Sequence, residues 1–446
     1  MKLSPVRFCP AVACTAALAL SGGVAAPAAL AAATPGEYVP LPSPTRVFDT
    51  RSPTLAAGEA RPMRTDESRT VDVVSRLRTA SGATVAPDQV SAVMVTTTVA
   101  NTSAAGYVTT QQKNTGRSPA VSTVNFPAGN HQLANTTIVP VAADGTLDVT
   151  EGAGSSNVIL DVVGWFTSGA TLPADVVTSQ VDITDPARFY DSRFNGDGPL
   201  GGDRTRAIRF ETPFSDADIN TALVQMTAAS PTGNGYLQAW DGRTTTPPPT
   251  SVLNFRRGEN IASFVAVPVR KVAAGVFEFT VRATGGPTHI VIDSVGDAGR
   301  FNAATYRPIT PWRFLDTRRT SALKARSTLS IAVPSAANAR TANTWAMVGN
   351  ATMIAGSSSG HSLFWSGGIP RPIASTTNTM AGQNRASGAA VVLGYDPTTA
   401  QNNRLGVYNG SGAAAHVLFD ISGRFEASPA AGAAMAKRSW RYVGSR

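Results

Sequence analysis

Disulfide and thiolate chemistry have almost no foothold in this sequence. Its only two cysteines, Cys9 and Cys14, lie within the first fourteen residues. Charge is sparse at 15%, aromatic residues make up 7%, and there are four histidines, His131, His289, His361 and His416. These shortages bear on function. No HExxH motif, no repeated Ser/His/Asp set and no cysteine nucleophile is present. Carboxylates are few, and no pair stands out as a glycosidase couple. No glycine-rich loop cradles a phosphate. Asn195-Gly-Asp197-Gly198 lacks EF-hand spacing and reads as a turn. No cofactor and no metal site is expected. After the first thirty-odd residues no apolar run approaches the 18 or so needed for a membrane-spanning helix.

Those first residues read as an address. Lys2 and Arg7 form a basic start, Phe8 to Leu20 is mostly apolar, and Ala29-Leu-Ala31 and Ala31-Ala-Ala33 fit the small-x-small cleavage rule. Residues 1–33 are therefore expected to be a signal peptide. The mature protein is expected outside the cell or at its surface, with no membrane span. It would carry 36 basic and 29 acidic residues. Outside a cell that excess favours acidic polymers or polysaccharides over nucleic acid, or serves solubility alone.

What the chain has in quantity is Gly and Pro, together about 16% of residues, among many Thr, Ser, Ala and Val. That is the profile of short strands joined by turns. It also has repetition. Pro44-Thr-Arg46-Val-Phe-Asp49-Thr50-Arg51 returns as Pro186-Ala-Arg188-Phe-Tyr-Asp191-Ser192-Arg193 and as Pro311-Trp-Arg313-Phe-Leu-Asp316-Thr317-Arg318. Each copy opens a unit in which the same elements follow in the same order. A Gly-Tyr strand (Gly106-Tyr107, Gly235-Tyr236, in the third unit Gly360-His361) precedes a Ser-x-x-Asn-x-x-x-Gly element (Ser122/Asn125/Gly129, Ser251/Asn254/Gly258, Ser375/Asn378/Gly382). Each unit closes on an apolar strand with Asp161, Asp293 or Asp420 and, three residues on, Gly164, Gly296 or Gly423.

The expected fold is all-β, with three tandem β-sandwich domains of Greek-key or jelly-roll type at 34–168, 178–301 and 304–426, strung like beads. The first unit is longer, with an insertion expected near residues 65–86. Residues 427–446, basic and free of acids, read as a disordered tail.

In the opening motif two guanidinium groups flank one carboxylate: Arg46, Asp49 and Arg51; Arg188, Asp191 and Arg193; Arg313, Asp316 and Arg318. Recurrence in all three units favours a structural lock over a polar pocket for an anion or sugar. The closing Asp161, Asp293 or Asp420 would then meet the first arginine of its own unit, joining first strand to last. Trp240 and Trp365 precede loops bearing Arg243 and Arg371, with Arg117 matching them in the first unit. An exposed Trp beside these arginines and Asn125, Asn254 and Asn378 would suit a carbohydrate platform, a flat apolar face with polar groups around it. Core packing and turn geometry are the plain alternatives.

The order P-x-R-x-x-D-T-R, Gly-Tyr-Val, Asn-Phe-x-x-Gly, Val-Pro-Val, Asp-Gly and a closing Asp-x-x-Gly-x-Phe resembles a repeat of secreted proteins from high-GC Gram-positive bacteria. The third unit departs from it at His361 and lacks Val-Pro-Val. The resemblance implies an accessory or surface role and assigns no activity. The function expected is a secreted, non-enzymatic surface or matrix protein that binds cell-wall or extracellular polysaccharide. The alternatives are a structural or adhesive spacer contacting surface proteins and, third, a hydrolase with an unrecognised carboxylate site.

Overall fold

A computed structural model describes residues 33–113, 121–213, 218–335, 340–427 and 440–445. The expected signal segment lies almost wholly outside them. Among the described residues the secondary structure is strands and two short 3-10 turns.

Each unit is a sandwich of two antiparallel sheets. In unit 1 the inner sheet runs β1 (Tyr38–Asp49), β9 (Ser155–Thr167), β4 (Val90–Ala100), β7 (Leu133–Pro140), and β2 (Met63–Arg64) also pairs with β9. Its outer sheet runs β3 (Ser68–Asp72), β8 (Thr146–Ala153), β5 (Gly106–Gln112), β6 (Val124–Phe126). Unit 2 repeats this with inner β10 (Gln180–Asp191), β18 (His289–Gly299), β12 (Ile219–Ala229), β15 (Ile261–Pro268). Its outer sheet holds β11 (Arg204–Glu211), β17 (Val276–Gly285), β13 (Gly235–Trp240) and β14 (Leu253–Phe255), with β16 (Arg270–Ala273) on β17. Unit 3 has inner β19 (Thr305–Asp316), β27 (His416–Glu426), β21 (Thr344–Ile354), β24 (Asn384–Val392). Its outer sheet has β20 (Thr328–Ala332), β26 (Gln401–Asn409), β22 (Gly360–Ser366), β23 (Thr377–Thr379), and β25 (Gly394–Asp396) on β26. First and last strands of each unit are thus always neighbours. The glycine that ends each Ser-x-x-Asn element turns the chain at positive φ, 102° at Gly129, 78° at Gly258 and 69° at Gly382, where a Cβ would be strained.

The expectation of beads on a string is corrected. The units close into a ring around a shared centre. Tyr38 and Ser179 exchange backbone hydrogen bonds (2.7 and 2.8 Å), as do Val181 and Ala304 (2.8 and 3.1 Å), and Tyr306 N donates to Gly36 O (2.8 Å). Those links join unit 1 to 2, 2 to 3 and 3 to 1. The inner sheets turn one face to their own sandwich and the other to the centre. There Tyr38, Met94, Phe166, Leu223, Phe264, Tyr306, Val348 and Phe425 form one buried cluster. Phe166 lies 4.7 Å from the Tyr306 ring and 5.3 Å from that of Tyr38, centroid to centroid. Gly164 and Gly423 of the closing motif lie under the Tyr38 and Tyr306 rings, which a Cβ would strike.

The expected disordered tail is corrected where it is described. Residues 441–445 form β28 (Arg441–Ser445), which pairs antiparallel with β11 and extends the outer sheet of unit 2.

Candidate functional site

The opening motif sits where β1, β10 and β19 end, and its geometry repeats three times. Arg46 faces Asp161 directly across the ladder, as Arg188 faces Asp293 and Arg313 faces Asp420. Each guanidinium forks onto that carboxylate through Nε and Nη2, at 2.9 and 3.2 Å, 2.8 and 3.2 Å, and 2.7 and 2.9 Å. The second arginine forks onto the motif's own aspartate: Arg51 on Asp49 (2.8 and 2.7 Å), Arg193 on Asp191 (2.8 and 2.5 Å), Arg318 on Asp316 (2.9 and 2.7 Å). The hydroxyl between them accepts from the backbone of the closing strand. Thr50 Oγ1 takes Val158 N–H, Ser192 Oγ takes Ile290 N–H and Thr317 Oγ1 takes Val417 N–H. Every polar residue of the motif therefore works within its own unit, tying first strand to last.

The two aspartates respond oppositely to the same arginines. Burial alone would raise the Asp49 and Asp191 carboxyls, but bonds from Arg51 and Arg193 outweigh it and hold both below the usual range. Arg318 pulls Asp316 down to about 2. Asp161, Asp293 and Asp420 are almost fully buried. There desolvation outweighs the facing arginine, and all three are raised, Asp420 to about 6.

The Ser-x-x-Asn element works between units, which its spacing does not reveal. Ser375 N of unit 3 donates to Asp293 Oδ2 of unit 2 (3.2 Å). Asn350 Nδ2 of unit 3 donates to Ser122 O of unit 1, and Asn135 Nδ2 donates to Asn350 Oδ1 (2.9 Å). Gln225 Nε2 of unit 2 reaches Thr376 O (3.2 Å) and Gly388 O (3.0 Å) of unit 3. Buried amides so placed fix how neighbouring units meet.

At the seam between units 1 and 3 the surface opens into a continuous cleft. One part, of about 250 Å³, is lined by residues including Tyr107, Asn125, Arg313, Arg318, Thr352 and Asn384. The adjoining part, of about 300 Å³, shares Tyr107, Asn125 and Asn384 and adds Gln383 and Gly382. The Tyr107 ring lies over Gly152, where any side chain would collide with it. Asn125 Oδ1 accepts from Ser122 Oγ (2.9 Å), which leaves its Nδ2 to donate. Thr352 Oγ1 and Gln383 Oε1 are buried without a hydrogen-bond partner among the described residues. An aromatic edge, amides of both polarities and two forked arginines can hold a polyhydroxylated ligand.

Sequence reasoning names Asn125 and both arginines of this cleft. It misses Tyr107, Thr352, Gln383 and Asn384, because the cleft belongs to two units at once. The repeated Gly-Tyr pair was the available signal. The rest of the expected platform is not assembled. Trp240 and Trp365 are both buried, and their indole N–H groups donate to Thr244 O (2.8 Å) and Ile369 O (3.2 Å) in the following loops. Neither offers a free face for stacking. Each is a long apolar side chain with a loop carbonyl in reach, so packing wins. Arg243 pairs with Asp241 (2.7 Å) at the surface, and Arg371 lies 4.0 Å over the Tyr408 ring. Asn254 is buried, the Asn378 Oδ1 is buried without a hydrogen-bond partner among the described residues, and Arg117 lies outside them. Asp197 of the loose calcium-like loop accepts from the Tyr190 and Tyr442 hydroxyls (3.0 Å each). Among the described residues no three His, Cys, Asp or Glu side chains cluster as metal ligands, and no helix is long and apolar enough to cross a membrane.

No family model and no curated protein matches the chain. Among solved structures it aligns with one described as "The Triple Jelly Roll Fold and Turret Assembly in an Archaeal Virus". The alignment has 10% identity and a TM-score of 0.16, and covers 88% of this chain and 91% of that one. At that score the likeness carries no argument. The sandwich architecture rests on the sheets themselves.

Proposed function

We propose that this is a secreted, non-catalytic protein of the cell surface or extracellular matrix, and that it binds cell-wall or extracellular polysaccharide in the cleft between units 1 and 3. The observation behind this reading is the cleft's lining: Tyr107 beside Asn125, Gln383 and Asn384, with a buried Thr352 hydroxyl that has no partner among the described residues. Neutral amides and an aromatic ring recognise sugar hydroxyls and the flat face of a pyranose, and such contacts survive salt where net-charge attraction does not. The test is retention of the mature chain on insoluble wall and polysaccharide preparations in low and high salt. Retention should persist in salt and fall at least about tenfold, about 1.4 kcal/mol, in Tyr107→Ala combined with Asn125→Ala. Retention abolished by salt, or unchanged in that variant, overturns the cleft as the site.

A second reading, a structural or adhesive protein with protein partners, is favoured by the inward burial of Trp240 and Trp365, the residues best suited to a sugar platform.

A further inference from the structure

Within each unit's own strands, the outer sheet ends on β3, β11 or β20. An edge strand presents unpaired backbone groups, and folded proteins cover or blunt it. The three edges are treated differently. In unit 1 the loop after the motif folds back, so that Arg69 of β3 donates to Ala56 O (2.8 Å) and Glu59 O (2.9 Å), and Arg69 and Val71 are buried. In unit 2 the edge is covered by β28. Trp440 inserts between the two sheets, stacked on Phe210 at 4.3 Å and edge-on to Phe189 at 5.4 Å. The Tyr442 ring packs on Tyr190 at 5.1 Å, and Arg441 pairs with Glu211. Ile208 and Phe210 of β11 are then fully buried.

In unit 3 nothing among the described residues covers the edge. β20 ends its sheet. Leu329 and Ile331, its inward-pointing residues, stay half-exposed. So do Trp312 and Phe314 of β19, the latter matching Phe189 in the motif. The Trp312 indole N–H has no partner among the described residues. The charge of this edge also differs from that of unit 2. Residues 305–332 hold six basic residues and one acid, Asp316, whereas residues 180–211 hold five basic residues and six acids. The unit 2 edge, near charge balance, is the one that receives the basic strand Arg441–Ser445, with Glu211 pairing Arg441.

We propose that the β19–β20 edge of unit 3 is a docking site for an extended segment of another protein, added as a β-strand beside β20, with a bulky apolar side chain inserted at Trp312 and Phe314 and acidic flanks against Arg319, Lys324 and Arg326. β28 on unit 2 shows the mode: main-chain bonds extend the sheet while an aromatic side chain fills the gap between sheets. Charge complementarity sets the acidic character of the partner. A second copy's β20 would bring the same basic cluster against itself and does not fit. This inference is independent of the sugar cleft.

The probe is a synthetic peptide, Glu-Glu-Ser-Trp-Glu-Tyr-Val-Gly-Ser, which keeps the aromatic spacing of 437–445 and exchanges its basic residues for acids. Titrated onto the full mature chain it should bind with a Kd below about 100 μM and slow exchange at those amides of residues 328–332 that point away from β26. Ile331→Lys and, separately, Trp312→Ala should weaken binding at least tenfold. Both sites are half-exposed, so the fold should tolerate them. The version with Lys in place of Glu should bind at least tenfold more weakly. The proposal is overturned by no binding at 1 mM peptide, by equal binding of the basic version, or by unchanged binding in both variants. It is also overturned if the amides of β20 that point away from β26 are already protected in the free chain, which would mean that the chain covers this edge itself.

Discussion

Each unit carries two sheets of similar size in opposite surroundings. The outer sheets have a wet face, and their strands alternate accordingly: β3 and β20 show every second residue exposed. The central strands of the inner sheets, β4 and β9, β12 and β18, β21 and β27, have none. Along β4, Val93 and Val95 point into the sandwich while Ala92 and Met94 point to the ring centre. Along β21, Met347 and Ala351 face inward and Ala346 and Val348 face the centre. A strand buried on both faces has no reason to alternate, and it reads as a continuous apolar and β-branched run. The inner sheets thus form the centre of the ring, and the outer sheets join it at the seams, where Ser366 of β22 bonds through its N–H and hydroxyl to Asp185 of unit 2 (2.7 Å each).

The largest loss is expected at the ring centre. Phe166→Ala removes the ring that touches Tyr38, Tyr306 and Phe425 and leaves a cavity shared by units 1 and 3. It should cost about 3–5 kcal/mol, seen as a large fall in Tm by calorimetry. Ser330→Ala, on the exposed side of β20, should shift stability by no more than about 0.5 kcal/mol. Equal effects would mean that the centre is not a packed core.

A somewhat smaller effect separates the two arginines of one motif. Arg313→Met leaves the buried Asp420 without its forked partner and should destabilise by about 3 kcal/mol. Arg318 is nearly half exposed, at 46% of its side chain, so Arg318→Met should cost about 1 kcal/mol or less. Adding Asp420→Leu to Arg313→Met should recover most of the loss, because the pair's role is to avoid an unpaired buried charge. Denaturant melts of the three variants decide it.

The strand content, the three units and the Arg–Asp link from first strand to last were legible in the sequence, because each rests on residues close together in one repeat. Arg46 and Asp161 recur in step with the period, so their pairing could be inferred without a structure. The ring was not legible, although its sign was present: Ala92–Val99 and Val158–Val163 are apolar or β-branched runs, Asp161 apart, without the polar alternation of a strand with one wet face. The cleft was only half legible. Asn125 and Arg313 lie in different units, and no periodicity says which copy faces which. Trp440 was hidden by composition. The Ala, Pro and Gly around it suggest disorder, and its receptacle, Phe189 with Phe210, lies in unit 2 and not in unit 3, which the tail follows.

The finest contrast is between two carboxylates held by one arginine pair. Asp420 is raised by desolvation to about 6, and Asp316 is lowered by Arg318 to about 2, from ordinary values near 3.8. The signs follow from linkage. Asp420 is easier to protonate in the folded chain than in the unfolded one. Its contribution to stability is fully present below about pH 4 and is lost as pH rises through about 6. Asp316 is the reverse: its contribution is present above about pH 4 and is lost as pH falls through about 2. Stability should therefore rise on acidification from pH 7 to about 4.5 and fall steeply below about 3, as far as these two groups decide it. Asp420→Asn, uncharged at every pH, should flatten the rise and leave the fall. Carboxyl carbon NMR titration of the two residues, beside Tm against pH for both proteins, tests the assignment directly. An Asp420 that titrates below 4 would show that the Arg313 fork outweighs burial, and the inner-sheet aspartates would then be ordinary ion pairs like those at the surface.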